Sequence, residues 1–325
     1  MLSDMHTFLT LTPNPALDIA TDTERVQPTH KLRCGPVQRY PGGGGINVAR
    51  VLHRLGASVQ AHYLAGGPNG EQLERLLAAE GIPAHAHPIA GDTRENFAVV
   101  QTSTSDEFRF VLPGPVVQDS EWQPWQRALN NAAPAARWLV ASGSLPPGMP
   151  VDFYARLARQ AHAQGQHLVL DTSGDALAAA LQAGVYLLKP SLRELRELTG
   201  LPLQTPAQWC AGAQALVHSG QAQLVALSVG AQGAVLASAA GVWQVDALAV
   251  PARTGTTGAG DCFLAALVFA LERGTPPPEA LRWGIAAGAA ALLSPGTALA
   301  QAADIARLLP QVAPAQAQPT DLAAP

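Results

Sequence analysis

Apolar residues along the chain fall into two rhythms. Short runs of four to seven, such as Val59 to Leu64, Trp138 to Ala141, His167 to Leu170, Val185 to Leu188 and Leu224 to Val229, read as buried strands. Between them lie stretches with helical spacing: Glu71 to Glu80, Trp122 to Ala132, Val151 to Gln164, Asp175 to Ala183, Leu192 to Thr199 and Ala207 to His218. Strands alternating with helices imply parallel pairing with right-handed crossovers, an α/β fold. His6 to Leu11 reads as one more buried strand, ended by Thr12-Pro-Asn-Pro15. Ala234 to Ala237 and Val242 to Val245 read as a meander.

Two segments keep a different pattern. Residues 19–40 lack helical periodicity and read as extended strands. Phe97 to Gln101 and Phe108 to Leu112 alternate around Ser103-Thr-Ser-Asp106, which predicts a hairpin. Alternation puts Arg109 on the face opposite Phe108 and Phe110, either as a solvated edge charge or turned to a ligand. Arg94, beside a turn, has the same two readings.

Two glycine-rich stretches open helices. Pro41-Gly-Gly-Gly-Gly45 precedes Ile46, Ala49, Leu52 and Leu55, which recur at helical spacing. Asn47 lies in the first turn, as a cap or as a ligand. Arg253-Thr-Gly-Thr-Thr-Gly-Ala-Gly-Asp261 runs into an apolar helix over 259–273, and alanine-rich Glu279 to Leu293 follows. A helix start leaves amides unpaired and carries partial positive charge. Small residues at Gly258, Ala259 and Gly260 let an anion approach that backbone. Asp261 either caps the helix or takes a proton from a hydroxyl while the amides hold a phosphoryl group. Ser144, Asp171, Lys189, Ser191, Glu194, Ser228 and Gly230 all fall at or just beyond the carboxyl ends of predicted strands, where ligands of open α/β sheets bind.

Composition narrows the function. The chain has 325 residues, 48 % of them hydrophobic, and a formal net charge of −4. There is no basic block for nucleic acid and no apolar run of membrane-spanning length. Asp4 and His6 interrupt any signal-peptide pattern, and three widely spaced cysteines fit a reducing cytoplasm. Of 20 basic residues only Lys31 and Lys189 are lysine, and both fall in motifs. No Walker-type glycine-lysine loop is present. Residues 311–325 read as a disordered tail beyond a single domain of 1–310.

Together, Pro41-Gly-Gly-Gly-Gly-Ile-Asn-Val-Ala-Arg50 and Gly255-Thr-Thr-Gly-Ala-Gly-Asp261 resemble the ribokinase/PfkB family of sugar kinases. Leu11-Thr-Pro-Asn-Pro-Ala-Leu-Asp18, Lys31-Leu-Arg-Cys34, Phe108-Arg-Phe-Val-Leu-Pro-Gly114, Ser142-Gly-Ser-Leu-Pro-Pro-Gly148 and Ser228-Val-Gly-Ala-Gln-Gly-Ala234 extend the likeness over about residues 6 to 310. The resemblance implies a ribokinase-like, mostly parallel central sheet flanked by helices. It adds a small β lid from about 17–40 and 92–113 that also makes a homodimer. It implies ATP-dependent phosphorylation of a phosphosugar: fructose 6-phosphate at its 1-hydroxyl, or the chemistry of 1-phosphofructokinase or tagatose-6-phosphate kinase. The latter two tend to carry lysine where Gly44 stands.

By the same resemblance Asp261 is the base, and Gly258, Ala259 and Gly260 the anion hole. Asp18, Gly43, Gly44 and Asn47 hold sugar hydroxyls. Arg94 and Ser144 contact the sugar or its phosphate, Arg109 adds lid charge, and Lys31 and Arg33 reach across from a partner lid. Lys189, Ser191, Arg193, Glu194, Ser228, Gly230 and Gly233 line the ATP and Mg2+ side, with Glu194 toward Mg2+. Ser191 stands where the family carries asparagine, which weakens that metal role. Ser294 and Gly296 lie in a K+-binding segment, although Ala298 replaces its usual arginine. A non-catalytic nucleotide or sugar sensor and a nucleoside kinase are the competing readings. The intact Gly-Ala-Gly-Asp261 run opposes the first and the lid cations the second.

Overall fold

The computed structural model describes residues 7–132, 136–251 and 255–319. Among them, ten strands form one sheet and four a second. From one edge the larger sheet runs β5 (Ala84–Pro88), β4 (Val59–Ala65), β1 (Phe8–Thr12), β8 (Trp138–Ser142), β9 (His167–Asp171), β10 (Val185–Leu188), β11 (Ala222–Ser228), β12 (Ala234–Ser238), β13 (Gly241–Val245) and β14 (Gln316–Gln318). Pairing is parallel from β5 to β11 and antiparallel from β11 to β14. Every residue of β1 and β8 is buried, as a strand covered on both faces requires.

Two helical layers supply the cover. α1 (Gly44–Arg54), α2 (Gly67–Ala79), α8 (Ala259–Glu272), α9 (Pro277–Ala291) and α10 (Ala302–Leu308) share one core with the sheet. α3 (Asp119–Ala132), α4 (Phe153–Ala163), α5 (Gly174–Leu181), α6 (Leu192–Thr199) and α7 (Pro206–His218) share the other. Cys262 through Ala270 of α8 are all buried, as its all-round apolar sequence predicts.

The smaller sheet is the lid, in the order β3 (Gln38–Gly42), β2 (Ala16–Thr23), β6 (Arg94–Gln101) and β7 (Asp106–Val111). β2 and β6 run parallel, and the outer pairs antiparallel. Extended structure does not fill 19–40: residues 24–37 link β2 to β3 as an exposed loop with no regular element. β5, α10 and β14 were not expected from the sequence. The predicted unstructured tail does not hold through 319, because Gln316–Gln318 pair with Val242–Gln244. His6, Arg253, Thr254 and residues 320–325 lie outside the described residues.

Candidate active site

The parallel strands deliver their carboxyl ends to one rim, where α1 and α8 also begin. Gly258 is the N-cap of α8 at φ 80°, a left-handed conformation that glycine adopts without strain. It turns the chain so that Asp261 sits in the first helical turn. There Oδ2 of Asp261 accepts a hydrogen bond from Asn47 Nδ2 at 2.8 Å. Burial raises the Asp261 carboxyl to about 7, and the charge of Asp171 adds to the rise, against the pull of Asn47 and Lys189. Of the three expected anion-hole residues, Ala259 turns its amide to Thr256 O at 3.2 Å. Gly258 and Gly260 flank it at the helix start, where intrahelical acceptors run out.

Asp171, at the end of β9, binds Lys189 Nζ at 3.1 Å and accepts from Ser142 Oγ at 3.3 Å. Lys189 is buried beside the glycine turn, its Nζ 3.7 Å from where a Cβ on Gly260 would stand. Burial alone would push this ammonium down. Asp171, Asp261 and Glu194 more than offset that, so its pKa lies above the ordinary value. Asp171 was placed at the rim by its strand, but its pairing with Lys189 was not foreseen. Alternate acidic and basic ends of neighbouring strands were the signal.

The residues expected on the sugar side lie in and beneath the lid. Asp18 accepts from Asn96 Nδ2 at 3.0 Å, and burial raises its pKa. Arg109 is exposed, yet lines a small cavity with Asp18, Asn96, Thr257 and Thr297. Gly43 and Gly44 open α1, and a Cβ at Gly44 would collide with the side chain of Ser142. Ser144 accepts from Asn14 Nδ2 at 3.2 Å. Arg94 spends its guanidinium on main-chain carbonyls: Asn14 O at 3.0 Å, Leu112 O at 3.1 Å and Pro15 O at 3.4 Å. Asn14 and Asn96 were missed as site residues, since each reads as an ordinary polar residue beside a turn or strand start.

On the far side of Gly260 lies a cavity of about 500 Å³. Ser228, Gly230 and Gly233 line it with mostly apolar neighbours, among them Leu248, Val250, Phe263 and Ile285. Ser191 is the N-cap of α6: its Oγ accepts from Glu194 N, while Glu194 Oε2 accepts from Ser191 N at 2.7 Å. That reciprocal cap uses one carboxylate oxygen and leaves Oε1 as what Glu194 can offer a metal-bound water. Arg193 does not join the site, because it points outward, 75 % exposed, toward Glu197. Lys31 and Arg33 are also exposed, on the 24–37 loop.

Ser294 is buried, and Gly296 packs under the lid against Ala20 and Tyr40. The carbonyls that follow are already held by guanidinium donors: Thr297 O by Arg50, Ala298 O and Ala300 O by Arg54. Arg54 thus supplies, from α1, a cation at the segment where Ala298 lacks one.

The pfkB family carbohydrate kinase profile matches residues 12–303. An ATP-dependent 6-phosphofructokinase isozyme 2 of Mycobacterium tuberculosis is 45 % identical over 300 residues, spanning 92 % of this chain and 88 % of that protein. A 1-phosphofructokinase of Xanthomonas campestris is 37 % identical over 81 % of this chain and 83 % of its own. The crystal structure of Escherichia coli phosphofructokinase-2 in complex with substrates and products superposes with a TM-score of 0.90 at 38 % identity, over 94 % of this chain and 99 % of that one. The same E. coli protein has been solved in complex with potassium and as a tetrameric inhibited form. The chain belongs to the pfkB family of carbohydrate kinases.

Proposed function

We propose that this protein is an ATP-dependent 6-phosphofructokinase, transferring the γ-phosphoryl group to the 1-hydroxyl of fructose 6-phosphate to give fructose 1,6-bisphosphate and ADP. One observation carries the reading. The carboxylate of Asp261, half-buried and tied to Asn47, stands in the first turn of a helix whose start, at Ala259 and Gly260, lines an apolar cavity, and it feels the charge of Asp18 under the lid.

Asp261 takes the proton of the attacking hydroxyl as its oxygen bonds to phosphorus and the bond to ADP breaks. The α8 amides and Lys189 face the charge on the transferring group. The apolar cavity suits a nucleoside, and Asp18, Asn47 and Ser144 suit a sugar. Mg2+ on the nucleotide would supply charge neutralisation, and Glu194 is the residue that would hold a water of its hydration shell. K+, bound by the E. coli relative, would fall at Ser294 and Gly296.

A homodimer through the lid fits its surface. Leu32, Val37, Phe110 and Leu112 are exposed there, and Lys31 and Arg33 stand free to reach a partner's phosphosugar. No helix among the described residues is long and apolar enough to cross a membrane.

The 1-phosphofructokinase relative keeps a second substrate in play, with tagatose 6-phosphate as a third. Gly44 favours the first reading, because a lysine there would have to displace Ser142. Parallel assays with fructose 6-phosphate, fructose 1-phosphate and tagatose 6-phosphate decide it. The highest kcat/KM is expected for fructose 6-phosphate, and a higher value for either of the others overturns the assignment.

A further inference from the structure

The lid touches the turn that opens α8 through an acidic side chain. Alternation along β7 sends Phe108 and Phe110 to one face and Glu107, Arg109 and Val111 to the other. Arg109 and Val111 line the small cavity with Asp18 and Thr257, so this second face is the one turned to the cleft. Glu107 lies nearer the hairpin end and over the loop before Gly258. Thr257 Oγ1 donates to Glu107 Oε2 at 2.9 Å, and a Cβ on Gly255 would collide with the same carboxylate.

Substrate binding does not account for a carboxylate here, since its charge has the sign of both phosphorylated ligands. The loop it holds does account for it. Thr257 directly precedes Gly258, and its neighbour Thr256 accepts the Ala259 amide. Fixing Thr257 therefore fixes the direction in which the first α8 amides point. The acceptor belongs to the lid, so the bond ties the lid to this turn.

We propose that Glu107 is a positioning residue: by holding Thr257 it couples closure of the lid over the phosphosugar to the geometry of the anion-binding turn. This rests on the phosphoryl-transfer reading above. The small cavity under the lid and the larger apolar cavity are lined by different elements, and Glu107, bonded to the turn between them, lines neither. A hydrogen bond to a charged acceptor biases such an equilibrium about 10- to 100-fold.

The test is a double-mutant cycle of Glu107→Ala and Thr257→Val, with fructose 6-phosphate and ATP as substrates. Each single variant is expected to lose about 10- to 100-fold in kcat, while KM for ATP moves less than roughly threefold. The double variant should be no worse than the poorer single, and Thr257→Ser, which keeps the hydroxyl, should recover most of the loss. Losses that multiply in the double variant, or a wild-type kcat in Glu107→Ala, overturn the proposal. Amide hydrogen exchange separates this from the substrate assignment. Glu107→Ala should speed exchange across 255–261 by about tenfold or more even if no phosphosugar is turned over, and unchanged exchange counts against the contact.

Discussion

The side-chain amide of Asn47 donates to Asp261 across 214 residues of sequence, joining the first turns of α1 and α8. Each helix start carries partial positive charge, so the two converge on one volume with a carboxylate between them. Asn47 Oδ1 is buried without a protein partner among the described residues, so it can accept from a sugar hydroxyl. Its Nδ2 favours the charged form of Asp261, and burial opposes that. The balance, at about 7, suits a base that must both lose and accept a proton near neutrality.

Replacing Asp261 with asparagine keeps the shape and an oxygen that can face Asn47, and removes the carboxylate proposed as the base. We expect kcat to fall by about 10²–10⁴-fold while KM for both substrates changes little. Steady-state kinetics, with nucleotide binding followed by calorimetry, checks it. An Asp261→Asn enzyme within tenfold of wild type would remove the base assignment.

The raised pKa also fixes a pH dependence. kcat/KM for the phosphosugar should climb tenfold per pH unit below about 7 and level off above it. Asn47→Ala removes a group that lowers this pKa and should move the inflection upward. Stability runs the other way. Between the ordinary carboxyl value and about 7 the folded chain holds a proton that the unfolded chain has released, so stability falls as pH rises through that window. Asp261→Asn should therefore melt about 3 °C or more above wild type at pH 8, and close to it at pH 4. An equal shift at both pH values contradicts a proton-holding Asp261.

These features show which parts of the site are local and which are not. The turns at Gly42–Gly45 and Gly258–Gly260 are legible because a glycine run followed by helical spacing is written in consecutive residues. The approach of Asn47 to Asp261 could be inferred only from both lying at a sheet rim. The use of Arg94 on three carbonyls was not legible, since a lid cation near a phosphosugar reads first as a phosphate ligand. Arg193 shows the converse: a motif places it near the nucleotide, and helix phase turns it to solvent. β14 has no apolar alternation and exists through main-chain bonds to β13, so only the folded sheet reveals it.

Lys189 and Asp171 should behave as a buried pair. Their side chains are 7 % and 16 % exposed, so removing one partner strands a charge in a poor solvent. Lys189→Met should cost about 3–5 kcal/mol in urea unfolding. Lys189→Met with Asp171→Leu should regain most of it without regaining activity. If the double variant is no more stable than the single, the pair is not what holds the rim together.

Gly44 is confined by Ser142. A methyl there meets the Ser142 Cβ at 2.9 Å and its carbonyl carbon at 3.1 Å, so backbone must move and not only a hydroxyl. Gly44→Ala should cost about 1–3 kcal/mol and raise KM for the phosphosugar more than for ATP. Ser142→Gly in the same chain removes the side chain and should restore part of the melting temperature. A Gly44→Ala protein as stable as wild type would show that the rim adjusts freely.

Arg94 offers a sharper test, because its charge and its shape make separate predictions. The guanidinium spans the carbonyls of Asn14, Pro15 and Leu112, tying the start of β6 to the turn after β1 and to the chain leaving β7. Asn14 in turn donates to Ser144. Arg94 therefore sets where the Asn14–Pro15 turn lies, whatever it contributes to a phosphate. A lysine carries the same charge on a single nitrogen and cannot bridge three separated acceptors. Arg94→Lys should raise KM for the phosphosugar about as far as Arg94→Ala does, roughly 10- to 100-fold, with KM for ATP little changed in both. If lysine restores the wild-type KM, charge alone is what the site needs from this position, and the carbonyl clamp is incidental.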